Sequence, residues 1–506
     1  MQKSTSAGVM SMHGHKNRHQ KDKTRGHFVP SGSPQVTFEV EPRPAGGGLA
    51  IGFFGASGTV TGSRYLLEDD STRLLVDSGL FQGGRDLRNL NWAPPPPEIA
   101  GVETILLTHA HLDHSGAIPR LVRDGWRGRV LTTRATAELC ELLLPDSGHL
   151  QEKDAQFANR RGYSRHQPAL PLYTQNDALN ALEHFQGVEF GEFIEVAPGV
   201  SARFHRAGHI LGAASIEIDW KGTKVVFSGD LGRYDDAVMF DPAPPPMADF
   251  LIVESTYGDR EHDAVSPEDA LGECIERCVA RGGTVVIPAF AVGRAQSLLY
   301  YLSLLKNAGR LQGVPVYLDS PMAIDASGIM CANSGDHRLS HDECKAACAV
   351  AHYVRDAEES KALTADSNPK VIISASGMAT GGRVLHHLAQ FAPDPKNLLL
   401  FAGFQAAGTR GAALVAGATS VKIYGEVVPV FAEVTNLSML SAHADCNEIL
   451  RWLSGMPQAP KMTFVTHGEA SASASLAERI RHELDWTCTT PALGSWGDLT
   501  SRAHGS

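Results

Sequence analysis

Residues 109 to 114 read His109-Ala-His-Leu-Asp-His114, directly after the apolar run Thr104-Ile-Leu-Leu-Thr108. Along an extended chain, residues two apart share a face. His109, His111 and Asp113 can therefore point the same way, with His114 beside them. Imidazole nitrogen and carboxylate oxygen together suit zinc or a similar divalent ion. One tetrahedral ion cannot easily take all of these groups at such close quarters, so the spacing predicts two metals side by side.

The remaining ligands come in one repeated pattern, a short β-rich run ended by a ligand-type residue. Asp77 follows Leu74-Leu-Val76, Asp230 closes Val225-Val-Phe-Ser-Gly-Asp230, and His467 closes Met462-Thr-Phe-Val-Thr-His467. His209 stands in Ala207-Gly-His-Ile-Leu-Gly212. Strand ends of this kind converge on one edge of a sheet, where α/β proteins place their sites. Asp77 taken alone could equally be a turn residue.

Residues 101 to 255 alternate strands and helices, the pattern of a layered α/β domain. The segment from 256 to 435 repeats strand–helix units of its own: Thr284-Val-Val-Ile287 with a helix from Gly293, Pro315-Val-Tyr-Leu318, and Val371-Ile-Ile373 with a helix near Arg383. Because His443 and His467 return to the first site, this segment reads as an insertion. The expected organisation is a disordered tail over 1–47, a metal domain in two pieces, 48–255 and 436–506, and an inserted domain over 256–435.

The residues Asp77, His109-Ala-His-Leu-Asp-His114, His209, Asp230 and His467 resemble the pattern of the metallo-β-lactamase-fold hydrolases. A second set narrows the resemblance: Glu254-Ser-Thr-Tyr-Gly258, Pro288-Ala-Phe-Ala-Val-Gly-Arg-Ala-Gln296, Leu318-Asp-Ser-Pro-Met-Ala323, Ser374-Ala-Ser-Gly-Met-Ala-Thr-Gly-Gly-Arg383 and Ser441-Ala-His-Ala-Asp445. These look like the β-CASP branch, nucleases with a cap domain inserted in that fold, and most of all the bacterial group similar to the cleavage subunit of the mRNA 3′-end processing machinery. The resemblance implies an α/β fold, a metallo-β-lactamase αββα sandwich with an inserted α/β β-CASP cap. It implies two zinc ions, one on His109, His111 and His209, the other on Asp113, His114 and His467, with Asp230 bridging and Asp77 orienting a ligand histidine. Glu254, His443 and His467 match the three cap-branch motifs. Branch members that act on DNA usually lack the last histidine, so its presence favours RNA.

The expected activity is hydrolysis of phosphodiester bonds in single-stranded RNA. Asp113 would orient the nucleophile, His443 would contact phosphate or protonate the leaving oxygen, and Glu254 would position a histidine. Three junctions in the insert have phosphate-type chemistry. They are the Gly-rich turn with Ser376, Gly377, Thr380, Gly381 and Arg383, the loop with Gln405 and Thr409, and Arg294. Each alone reads as readily as a turn. The chain ends soon after His467, without the long C-terminal domain of the 5′-exonuclease branch, which favours endonucleolytic cutting. The alternatives are a 5′-exoribonuclease, a small thioester or ester hydrolase on the same metal site, and a non-catalytic RNA-binding subunit.

Composition bounds the rest. No run of about 18 uncharged apolar residues exists, so a membrane span is not expected. Eight cysteines in 506 residues are too few for a disulfide scaffold and fit a reducing, cytoplasmic compartment. Cys274/Cys278 and Cys344/Cys348 are each one helical turn apart, and read as a metal site or as ordinary helix cysteines. A net charge of −11 argues mildly against nucleic acid, but bound metal would add positive charge locally. The basic patch Lys16–Arg25 reads as a solvated leader or an RNA contact, and the region 145–187, with Arg160, Arg161 and Arg165, as surface helices or a helical lid. Residues 324–366 look irregular beside the family pattern and have no functional reading, and a homodimer is compatible with the chain.

Overall fold

The computed structural model describes residues 39–162 and 167–500. The expectations for residues 1–38, the patch Lys16–Arg25 among them, and for Arg165 lie outside the described residues.

Two seven-stranded sheets carry the first domain. One runs, edge to edge, through Trp496–Asp498, Ala50–Phe53, Tyr65–Glu68, Arg73–Val76, Thr104–Leu106, Arg129–Thr133 and Phe185–Val188. The other runs through Cys488–Thr489, Met462–Val465, Phe250–Val253, Thr223–Phe227, Ala214–Trp220, Val200–Arg206 and Ile194–Ala197. Alternation along each strand decides which layer a side chain enters. Leu74 and Val76 point into the space between the sheets with Phe204, Ile216, Phe227 and Phe464. Leu75 points outward, against the helix Arg134–Arg161. On the other sheet Val226, Leu251, Val253 and Val465 face the helices Cys446–Ser454 and Ala470–Leu484. The result is an αββα sandwich.

Phe250–Val253 and Met462–Val465 pair directly, in parallel, although the whole cap lies between them in sequence. The cap is therefore an insertion between neighbouring strands. Its own six-stranded sheet runs His352–Tyr353, Val316–Asp319, Val371–Ser374, Val285–Pro288, Leu398–Phe401, Glu433–Asn436, with every pairing parallel. Strands such as Val-Ile-Ile-Ser and Leu-Leu-Leu-Phe are apolar on both faces because helices cover both.

Residues 324–366, which depart from the family pattern in sequence, form regular secondary structure. The segment holds the helices Pro321–Ala332, His341–Ala349 and Ala357–Ala365 and the short strand His352–Tyr353. Each helix starts at a side-chain cap. Ser320 caps the first ahead of a proline, Ser340 and Glu343 form a capping box on the second, and Asp356 caps the third. Cys274 and Cys278 are buried helix cysteines. Cys344 is not an ordinary helix thiol, since it is bridged to Cys331. Among the described residues no helix is long and apolar enough to cross a membrane.

Candidate metal centre

The strands ending at Val76, Leu106, Phe227, Val253 and Val465 are parallel within their sheets, and their C-terminal ends deliver Asp77, His109, Asp230, Glu254 and His467 to one edge. Asp77 (φ +59°) and His467 (φ +48°) both hold left-handed backbone, a conformation that non-glycine residues reach only when their surroundings hold them there. Gly79 lies so close to the Asp113 carbonyl that a Cβ would sit 1.6 Å from its oxygen. This contact and the bond from Ser63 N to the same oxygen (2.8 Å) fix the turn that presents Asp113 and His114.

Asp230 is the centre of the arrangement. One carboxylate oxygen lies 3.4 Å from His109 Nε2 and 3.7 Å from His209 Nε2. The other lies 3.3 Å from His114 Nε2 and 3.5 Å from His467 Nδ1. His111 Nδ1 is 3.2 Å from His209 Nε2, and His467 Nε2 is 3.7 Å from Asp113. The ligand atoms fall into the sets His109/His111/His209/Asp230 and Asp113/His114/His467, all within 4.8 Å inside a set. Two nitrogens held about 2.1 Å from one tetrahedral ion lie about 3.4 Å apart, the spacing found here. His109 Nε2 and one Asp230 oxygen are buried and have no hydrogen-bond partner, as ligand atoms awaiting a cation would be. The donor set therefore fits a divalent metal, and this His/Asp cluster is a metal-binding site.

Burial, reinforced by neighbouring histidines, pushes His109 and His209 well below the ordinary imidazole value. These rings are neutral and offer a lone pair. Burial also lowers His111. It would lower His114 too, but Asp230 and Asp77 outweigh it and raise that ring. Burial likewise disfavours the charge on Asp230, yet His467, His114 and His109 around it hold the carboxyl well below its usual range.

A second ring of contacts sets the tautomers. Asp77 accepts from Thr108 N (2.8 Å), Thr108 Oγ1 (2.9 Å) and His114 Nδ1 (2.7 Å). Thr108 Oγ1 in turn meets His109 Nδ1 at 3.1 Å. His209 Nδ1 donates to the Ala442 carbonyl (3.3 Å), and His467 Nδ1 meets Thr256 Oγ1 (3.2 Å). Thr108, Thr256 and Ala442 stand in or beside the quoted motifs, but the motifs assign them no role.

His443 belongs to neither ligand set. Its Nδ1 lies 3.3 Å from Glu254 and 4.0 Å from Asp230. Glu254 also accepts from Leu231 N (2.6 Å) and Thr256 N (3.2 Å). Burial would lower His443, but Glu254 and Asp230 outweigh it and raise the ring.

The cap loop before the helix Arg294–Asn307 reaches this centre, with Phe290 6.0 Å from the His111 ring and Gly293 against Ile210. Arg294 is 7% exposed, its guanidinium has no hydrogen bond among the described residues, and it lines a pocket together with His209 and Asp236. The other expected phosphate contacts are mostly engaged within the cap. Arg383 binds Asp319 (2.6 Å) and the carbonyls of Val354 and Arg355. Thr409 caps the helix Arg410–Val415, and Gln405 donates to the Gly377 carbonyl. Ser376 Oγ organises its own turn, accepting from Thr380 N and Gly381 N, while Gly377 packs so tightly on Phe290 that no Cβ fits. Beside Gly381 there is open space.

A metal cluster at the strand ends of an αββα sandwich, closed by an inserted parallel-sheet cap, defines a class of metal-dependent hydrolases, and the chain belongs to the β-CASP ribonuclease family of the metallo-β-lactamase superfamily. Residues 58–271 match the metallo-β-lactamase superfamily, residues 295–414 the Beta-Casp domain, and residues 427–491 the Zn-dependent metallo-hydrolase RNA specificity domain. Ribonuclease TTHA0252 of Thermus thermophilus is 38% identical, over 84% of this chain and 95% of its own. An RNase J-like protein of Methanocaldococcus jannaschii is 29% identical over 88% of this chain and 99% of its own, and transcription termination factor FttA of the same organism 29% identical over 86% and 69%. A solved structure of a protein of unknown function from Enterococcus faecalis shares the fold, with a TM-score of 0.50 and 13% identity over 88% of this chain and 99% of its own.

Proposed function

We propose that this chain is a zinc ribonuclease that holds two ions and cuts single-stranded RNA internally, in the cytoplasm, as part of RNA processing or decay. The observation that carries the reading is Asp230, whose two oxygens face two separate ligand sets while His443 and Glu254 stand beside both. The names of the relatives, ribonuclease TTHA0252 and the RNase J-like protein, support RNA as substrate.

When bound, the two ions would supply Lewis acidity toward a phosphodiester and water activated for attack. The chain's residues do the rest. Asp113 orients the nucleophile. His443 keeps its proton on Nδ1 against Glu254, which leaves Nε2 to exchange a proton with the leaving oxygen. Glu254 fixes that tautomer and ties it to the Leu231 and Thr256 amides. Arg294, a buried guanidinium without a hydrogen-bond partner among the described residues, offers its donors to a phosphate next to the scissile one. Ser376, Thr380 and Gly381 line the RNA path at the cap's open turn. Arg383, Gln405 and Thr409 shape that path from behind. A homodimer is part of the same reading and is checked by light scattering.

The test is cleavage of a 5′-end-labelled single-stranded RNA by zinc-loaded protein, with Asp113→Ala beside it. Internal fragments that vanish in the variant are expected. Mononucleotides alone would move the chain to 5′-exonucleolytic action, and no cleavage by fully metallated protein would overturn the reading.

A further inference from the structure

Three of the eight cysteines meet in the cap, away from the metal centre. Cys331 ends the helix Pro321–Ala332, while Cys344 and Cys348 sit one turn apart on the helix His341–Ala349. Cys331 and Cys344 are bridged, and the Cys348 sulfur lies 3.6 Å from the Cys331 sulfur, in touching distance of the bond. Cys348 is half-buried, whereas the other free cysteines, Cys140, Cys274, Cys278, Cys446 and Cys488, are all buried. A free thiol against a disulfide, with solvent access, is the arrangement that thiol–disulfide exchange requires.

The loop that the bridge closes is also the cap's grip on the metal domain. Asn333 donates to Glu138 (2.8 Å), and Asp336 pairs with Arg206 (3.1 Å). His337 forms a β-bridge with Met239, and Arg338 donates from its backbone to the Val238 carbonyl and from its side chain to Asp241. Val238 and Met239 line the same cavity as His209, and so does Met330, the residue before Cys331. A change at the bridge is thus one loop away from the wall of the catalytic cleft.

We propose that Cys331, Cys344 and Cys348 form a thiol–disulfide exchange site for small thiols and disulfides, whose state sets how firmly loop 332–340 holds the cap to the metal domain. In the exchange step Cys348 loses its proton to water, and its thiolate attacks Cys331 Sγ. The Cys331–Cys344 bond breaks as the Cys331–Cys348 bond forms, and Cys344 leaves as a thiolate that takes up a proton. No net oxidation occurs. The closed span lengthens from a separation of 13 residues to one of 17, so the loop loosens. A small dithiol opens the bridge outright, giving two electrons and two protons and becoming a disulfide itself. A small disulfide reverses this.

The site is independent of the nuclease reading, because its test uses no RNA. Full-length, metal-loaded protein is equilibrated with oxidised glutathione, alkylated and mapped by non-reducing peptide mass spectrometry. Both Cys331–Cys344 and Cys331–Cys348 peptides are expected from the wild type, the first alone from Cys348→Ser, and the second from Cys344→Ser. Wild type that yields no Cys331–Cys348 peptide would overturn the exchange. That readout stands even if Cys344→Ser does not fold. Backbone hydrogen exchange across 332–340 should be about tenfold faster after a phosphine reductant opens the bridge. Equal protection with the bridge open and closed would overturn the link to the loop.

Discussion

Replacing Asp77 by asparagine changes one atom of a buried side chain and should disturb both metal sets. In the native arrangement His114 Nδ1–H donates to Asp77 Oδ2, so it is Nε2, facing Asp230, that would give up its proton to a bound metal. The Thr108 hydroxyl donates to the same oxygen, so it can accept from His109 Nδ1–H, and His109 Nε2 is bare. One carboxylate therefore sets two tautomers. With an amide NH₂ in place of Oδ2, His114 must accept at Nδ1 and carry its proton on Nε2, where a metal needs the lone pair. The Thr108 hydroxyl reverses and does the same to His109. If the amide flips instead, its NH₂ meets the Thr108 N–H, and a buried donor pair costs about 1–3 kcal/mol. Each route predicts a loss of about 10- to 100-fold in zinc affinity, or about 1.4–2.7 kcal/mol. Competition against a chromophoric chelator measures it, with circular dichroism as a check on the fold. Thr108→Val keeps the 2.7 Å Asp77–His114 bond and removes the relay to His109 together with a longer 3.3 Å contact to His114, so it should weaken one equivalent more than the other. On the proposed two-ion reading, wild-type affinity for both ions in Asp77→Asn would refute the tautomer argument, and equal weakening of both by Thr108→Val would refute the relay.

Three further outcomes follow from the same geometry. His443→Ala should hold metal near the wild-type level while turnover falls by roughly 10²–10⁴, and parallel loss of metal and activity would place His443 among the ligands. Arg383→Ala should lower the melting temperature, because the buried Asp319 loses its guanidinium, and leave the salt dependence of RNA binding unchanged; a salt slope shallower by about one would restore a phosphate contact. Glu217 is held at about 2 against an ordinary 4.5: burial pushes it up, but bonds from His205 and Arg203 outweigh burial. A depressed carboxyl stabilises the fold above its unfolded value and loses that contribution as pH falls toward its folded one. Glu217→Gln should thus cost about 2 kcal/mol at pH 7, after allowance for the partly exposed Arg203. The gap in urea melts should narrow between pH 4.5 and 2, and a gap constant with pH would count against the ion pairs.

Much of this architecture is legible in the sequence because its signals are local. Leu74, Leu75 and Val76 alternate between two cores, and the ligand after each such run marks the strand's C-terminal end. The insertion is legible because His443 and His467 have no purpose apart from the first site. What escapes is tertiary. Arg383 reads as a phosphate clamp beside a Gly-rich turn, yet Asp319, its partner, is 64 residues away. Thr108 reads as an ordinary strand residue, and nothing in its spacing reports the ring it touches. The helix His341–Ala349 buries only Cys344 and Ala347, which leaves little hydrophobic period to see, while Pro321–Ala332 buries Ile324 and Met330 among Ala323, Ala326 and Ser327. Their caps at Ser320 and Ser340 were the available signal, and they carry no information about the cross-link between the two helices.

The insertion of the cap between two paired strands also has a bearing on synthesis. Ile252 must wait for Phe464, about 210 residues later, before it gains its neighbour in the sheet. At ribosomal rates that delay is roughly 10–40 s. During it the sheet edge stands open, and the set completed by His467 lacks its last ligand. The cap, being contiguous, has time to fold first. The nascent chain therefore cannot complete its metal centre until the domain that roofs it has already emerged.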